Sequence, residues 1–117
     1  METVPGFWRL WWSGKTIDNA MRSAEDLAFL WEDNHQILGF ACAHDLGFRA
    51  YLSELVVDPR AQHRGIGTRL VRAVEEVLFE RGQRMLISDV WHDAEPFYLS
   101  LGWKSPDAVL LRQRLGS

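Results

Sequence analysis

The sequence predicts a mixed α/β domain, and three observations carry that prediction. Apolar runs at residues 27–31, 37–43 and 50–57 have strand length and are separated by turn-forming residues. From Gly65 to Arg81, Ile66, Leu70, Val74, Val77 and Leu78 recur at helical spacing, with Arg69, Arg72, Glu76 and Glu80 on the other face. A further apolar run at 84–91 follows that helix, so a strand–helix–strand crossover predicts one parallel pair in a mostly antiparallel sheet with flanking helices.

Each element has a local reason. Residues 7–12 predict a first strand, buried by Trp8, Trp11 and Trp12. Thr16 can cap a short helix to about Ser23, with Ile17, Ala20 and Met21 on one face. The strands at 27–31 and 37–43 are joined by a turn at Asp33-Asn34, because Asp and Asn tolerate tight-turn geometry. Gly47 marks the next turn. The strand at 50–57 ends at Asp58-Pro59, since proline cannot donate to a ladder. Arg81-Gly82 stops the long helix, a cation near the negative dipole end followed by a residue free to turn left-handed. Asp93 can cap a short helix whose first turn tolerates Pro96, and residues 109–115 close the sheet as a last strand.

Composition narrows the function. A chain of 117 residues, 47% hydrophobic and 25% charged, is one globular domain with a real core. Its net charge of −3 excludes a general nucleic-acid binder, whose footprint is basic, and fits a surface that tolerates cationic amines. The single cysteine, Cys42, excludes an internal disulfide and suits a cytoplasmic location. Residues 7–12 are too short and too interrupted by charge to span a membrane or serve as a leader. Cys42 and His44 share a strand face, but no second pair has metal-ligand spacing, so no metal is expected. Trp8, Trp11 and Trp12 in so small a chain point to a homodimer contact.

The most informative stretch is Val57-Asp58-Pro59-Arg60-Ala61-Gln62-His63-Arg64-Gly65-Ile66-Gly67-Thr68. It leads an apolar strand through a basic glycine turn into a helix, whose unpaired N–H groups and positive dipole end make a seat for phosphate. Arg60, His63, Arg64 and Arg69 surround the seat, and Gly65 and Gly67 let the backbone approach a ligand. A nucleotide P-loop needs Lys before Ser or Thr after its last glycine, whereas Gly67 is followed by Thr68-Arg69. A dinucleotide fingerprint needs a third small residue where Leu70 stands.

Gln62-His63-Arg64-Gly65-Ile66-Gly67 meets the pattern R/Q-x-x-G-x-G/A, and Leu55-Val56-Val57-Asp58-Pro59 precedes it. Downstream, Ala94-Glu95-Pro96-Phe97-Tyr98-Leu99-Ser100-Leu101-Gly102-Trp103 follows A-x-x-F-Y-x-x-L-G-F with Trp for the final Phe. In that order and spacing the two segments resemble the coenzyme A signature and second motif of the GNAT N-acetyltransferase superfamily. The resemblance covers roughly residues 27–115. It implies a sheet whose central parallel strands splay apart, with acetyl-CoA as co-substrate and the pantetheine arm in the wedge. The backbones of Leu55, Val56 and Val57 would hold the acetyl-pantetheine end, and Gln62, His63, Arg64, Gly65, Ile66, Gly67 and Thr68 the pyrophosphate.

The implied reaction is acetyl transfer from acetyl-CoA to a primary amine by direct attack in a ternary complex. The amine must lose a proton, the oxyanion must be stabilised, and the leaving thiolate should be protonated. Glu54 is the leading base: by alternation it shares a face with Leu52 and Val56, where a charge needs a reason, the alternative being an ion pair with a nearby arginine. Asp89 is the second candidate, in a position where related enzymes carry an acid; bonding to loop amides is its alternative role. Tyr98, in the tyrosine position of the F-Y pair, is the general acid, protonated at neutral pH. Trp91 stands where the family often has asparagine, and the segment between Asp89 and Tyr98 is short. Those departures also admit a catalytically weak acyl-CoA-binding module or sensor.

Overall fold

The structure, a computed structural model, describes residues 27–116. The strand expected at 7–12, the helix at 16–23 and the tryptophan contact lie outside the described residues. Strands β1 (Ala28–Asp33) and β2 (Gln36–Asp45) form a hairpin through Asn34 and His35, whose φ angles are 50° and 62°. Two left-handed residues match the twist of the flanking strands, and they place the turn one residue later than expected.

β3 (Ala50–Val57) runs antiparallel to β2. Helix α1 (Ile66–Glu80) then crosses over to β4 (Leu86–Ile87), parallel to β3, and the sheet order is β1-β2-β3-β4. The helix buries Ile66, Leu70, Val71, Val74 and Leu78 in one cluster with Leu30, Phe40 and Leu52. Burying a side chain of this size stabilises by about 1.5–3 kcal/mol, so this one helical stripe secures the layer. Gly82, at φ 95°, ends α1: its N–H and that of Gln83 donate to Phe79 and Leu78, closing the left-handed cap expected there.

Two irregularities position the site. On β3, Ser53 is an extra residue: Leu52 pairs with Ala43 while Glu54 pairs with Cys42. This bulge reverses the alternation of every residue after it. The second irregularity is the brevity of β4. Ladder pairing stops after Ala50↔Leu86 and Tyr51↔Ile87, and the next tie is the Ser88 hydroxyl donating to the Leu52 carbonyl at 2.8 Å. The strand expected over 84–91 therefore shrinks to two residues, because its backbone parts from β3 there. From Glu54 to Val57, β3 has no ladder partner on that side among the described residues.

A 3-10 turn at His92–Ala94 leads into α2 (Glu95–Ser100). Asp93 belongs to that turn and caps nothing; Ala94 is the N-cap, without a side-chain bond, and Pro96 sits in the first turn as expected. The last strand expected at 109–115 is not formed. Residues 104–116 are all exposed, and their one backbone bond outside regular elements runs from Ala108 N–H to the Pro106 carbonyl. An apolar strand needs an edge to pair with, and this segment meets none among the described residues. No described helix is long and apolar enough to cross a membrane.

Candidate active site

The splay of β3 from β4 opens a cleft of about 960 Å³. One wall is Leu55, Val56 and Val57; the opposite wall is Trp91, Asp93, Ala94, Phe97 and Tyr98; Gln62, His63 and Gly65 through Thr68 close one end. Sequence-predicted groups thus converge here, Tyr98 included, while Arg64, Glu54 and Asp89 are not among the lining residues.

The glycine-turn end of the cleft is built from backbone. Gly65 caps α1 at φ 79°, in the left-handed region and without a side-chain cap bond, and His63 is left-handed too, at φ 69°. The first amide bonded to the cap is Arg69 N–H, to the Gly65 carbonyl at 3.1 Å, so those of Ile66, Gly67 and Thr68 take no backbone acceptor among the described residues. Gly67 matters for space: a Cβ there would stand 3.3 Å from Phe97 Cζ and 3.5 Å from Val57 Cγ2. An amide-lined, side-chain-free approach suits a pyrophosphate, and the wedge beyond it suits an extended thioester arm.

The arginines expected around this seat are engaged elsewhere. Arg60 donates to both carboxylate oxygens of buried Asp58, the shortest bond being 2.6 Å. Those side-chain bonds, aided by the Arg60 N–H, hold the Asp58 carboxyl below its ordinary range against the opposing effect of burial. Arg64 reaches Asp33 at 3.4 Å, and the Arg69 guanidinium lies 5.1 Å from the centre of the Trp31 ring. These contacts brace the turn against the β1–β2 hairpin. The glycine-turn end of the cleft is then lined by backbone amides and by the exposed Gln62 and His63.

The polar groups of the sheet form a second constellation. Because of the bulge, Glu54 does not share the face of Leu52; it lies opposite Cys42, on the side of the sheet that also carries His44 and its cross-strand partner Tyr51. The expectation of a charge beside Leu52 is corrected by the extra residue Ser53. The Tyr51 hydroxyl donates to the Asp89 carboxylate, tying β3 to the chain just beyond β4. Burial, then that bond, then the charges of Asp89 and Glu54 push the phenol up to about 12. Tyr51 was not singled out from the sequence, since only the bulge brings it to the same face as Glu54. Cys42 is buried and its thiol pushed up to about 12, by burial first and the Glu54 charge second, so it is protonated and inert. His44 Nε2 and Ser53 Oγ share a hydrogen bond of 2.9 Å, and Ser53 donates to the Cys42 carbonyl.

Tyr98 is 7% exposed, packed edge-on against Phe97 and Trp103 with ring centroids 5.1 Å apart in each pair. Burial pushes its phenol up to about 12. Tyr98 is one of the residues that line the cleft. Trp91, 74% exposed, stands on the rim.

Comparison with known proteins agrees with this architecture. The family model described as Acetyltransferase (GNAT) family matches residues 2–103. No curated protein matches the sequence. Among solved structures, the chain is similar to a putative acetyltransferase from Deinococcus radiodurans R1, with 29% identity, TM-score 0.69, and coverage of 92% of this chain and 77% of that one. It shares its fold with AAC(6')-Iy in complex with a bisubstrate analog, CoA-S-monomethyl-acetylneamine, at 19% identity, TM-score 0.74, and coverage of 92% and 83%. A transcriptional regulator from Bacillus halodurans C-125 has the same fold at 21% identity, TM-score 0.71, and coverage of 86% and 75%.

Proposed function

Because the chain belongs to the GNAT acetyltransferase family, we propose that it transfers an acetyl group from acetyl-CoA to a primary amine by direct attack in a ternary complex. The observation that carries this reading is the cleft itself: unpaired β3 backbone on one side, open α1 amides at one end, and Tyr98 among the lining residues. Bound acetyl-CoA supplies the activated thioester. The amides of Ile66, Gly67 and Thr68 hold its pyrophosphate, and the unpaired β3 backbone at Leu55 and Val57 aligns the pantetheine arm like an added strand. A backbone N–H near Val57 stabilises the developing oxyanion.

Glu54, with Asp89 as the second carboxylate, takes the proton that the ammonium acceptor must lose. Glu54 shares its side of the sheet with Tyr51, whose bond to Asp89 ties that carboxylate to β3. Tyr98 holds a proton at its Oη next to the leaving sulfur. Its own ordinary pKa of 10.0 is raised by burial, and the same dry setting raises that of a thiolate formed beside it, so donation stays matched.

Isothermal titration with acetyl-CoA, CoA and ADP tests the cofactor half of this reading. Acetyl-CoA should bind far more tightly than ADP, because the arm fills the wedge. Equal affinities would remove the pantetheine site. A spectrophotometric screen for free thiol release with small amines, polyamines and lysine peptides tests the transfer half.

A further inference from the structure

Where β3 and β4 part, side chains take over from the ladder. Continuing the register past Tyr51↔Ile87 would set Leu52 beside Ser88, backbone to backbone. Instead the Ser88 hydroxyl donates to the Leu52 carbonyl at 2.8 Å, and Asp89 accepts from the Tyr51 hydroxyl. Directly after Leu52 comes the extra residue Ser53. A bulge bends its own strand, so β3 turns away from β4 at that point. The Ser88–Leu52 bond is therefore the last tie on β3 before the bulge.

The cleft ends just short of this tie. Its lining on β3 starts at Leu55, and no residue from 50 to 54 or from 84 to 90 belongs to it. At its other end stands the glycine turn, with Gln62, His63 and Gly65 through Thr68. A donor whose pyrophosphate sits at that turn runs back along β3 from Val57 towards Leu55. Its acyl group is then the part nearest the tie. Leu52 itself is 1% exposed, and its carbonyl already holds the Ser88 hydroxyl.

We propose that Ser88, by holding β4 to the Leu52 carbonyl, sets the depth of the wedge and restricts the acyl group to a short one, acetyl ahead of butyryl or longer. This rests on the proposed use of acetyl-CoA and adds the residue that selects the acyl chain. Ser88 is a positioning residue, acting through the Leu52 backbone. A longer chain has to part the hydroxyl from the carbonyl, and a buried carbonyl stripped of its donor costs free energy. The ladder pairs Ala50↔Leu86 and Tyr51↔Ile87 do not depend on this hydroxyl, so the tie can be removed while they remain.

Calorimetric titration with CoA, acetyl-CoA, butyryl-CoA and hexanoyl-CoA tests this without any acceptor. In the unaltered chain, butyryl- and hexanoyl-CoA should bind at least about tenfold more weakly than acetyl-CoA. Equal affinity across the series overturns the proposal, since the wedge then has no stop. Ser88→Ala should bring butyryl-CoA within about threefold of acetyl-CoA and leave the Kd of CoA within about twofold. Ser88→Thr keeps a hydroxyl and should keep the selectivity. Unchanged selectivity in Ser88→Ala overturns the role of Ser88, as does an equal loss in both variants. Loss of CoA binding in Ser88→Ala also overturns it, because the tie then supports the whole cleft. No binding of CoA or acetyl-CoA by the unaltered chain is a separate failure: it removes the cofactor reading and this inference with it.

Discussion

Glu54 faces Cys42 directly across the β2–β3 ladder, while Leu52, two residues earlier, points to the other side of the sheet. The bulge at Ser53 therefore moves the carboxylate from the side of the sheet that carries Leu52 to the one shared with Tyr51 and His44. Glu54→Gln keeps the shape and removes the proposed base. Turnover should fall by about 10²–10⁴-fold, with the acetyl-CoA Kd unchanged within about twofold. Steady-state kinetics beside titration calorimetry reads both, and undiminished turnover would pass the role to Asp89.

Tyr98→Phe preserves the edge-on packing on Phe97 and Trp103 and deletes only the hydroxyl. We expect kcat to drop by about 10²-fold, with the thermal midpoint and cofactor affinity little changed. The loss should shrink for an acyl donor whose leaving thiol is more acidic, because that thiolate departs without a proton. An equal loss for both donors would give Tyr98 a positioning role instead.

At the phosphate end, Gly67→Val puts side-chain carbons where a single Cβ is already 3.3 Å from Phe97. Acetyl-CoA affinity should weaken by about tenfold or more, roughly 1.4 kcal/mol. Arg64→Ala should leave that affinity within about threefold, since its side chain pairs with Asp33 and the seat is made of amides. Titration of both variants checks the contrast; a large loss for Arg64→Ala would show that the side chain turns to the ligand.

Asp58 joins β3 to the turn: its carboxylate accepts from the Arg60 backbone and guanidinium, and its own N–H donates to the Leu38 carbonyl at 2.7 Å. Its pKa is lowered, so this contribution to stability is complete above the unfolded value of 3.8 and is lost as pH falls through the folded one. Asp58→Ala should cost about 1–2 kcal/mol at pH 7. The gap between wild-type and variant melting temperatures should narrow as pH falls below 3.8.

On the alkaline side the sign reverses. Cys42 is raised from 9.0, and Tyr51 and Tyr98 from 10.0, each to about 12. Stability from these groups is fully present below the unfolded values and is lost as pH rises towards 12. Melting temperature should begin to fall near pH 9, and Cys42→Ala should delay the onset to about pH 10. An unmoved onset would exclude the thiol as its cause.

The sequence by itself determined what depends on neighbours along the chain. The amphipathic period of α1, its Gly82 stop, the proline that ends β3 and the glycine turn before the helix are local signals, and each appears in the fold close to where it was read. The glycine-turn end of the cleft was legible for the same reason, because a strand, a turn and a helix N-terminus are contiguous, whereas the wedge between the strands was implied only by the family resemblance. Tertiary structure decided what depends on pairing. Ser53 carries no bulge signature, yet the β2 register makes it the extra residue and so sets which face Glu54 and Tyr51 occupy. The arginines of the turn were assigned to a ligand from proximity in sequence; Asp33 and Trp31, more than 30 residues away, claim two of them. Residues 109–115 have the composition of a strand, but a strand exists only where a second edge supplies its hydrogen bonds, and no local pattern encodes that edge.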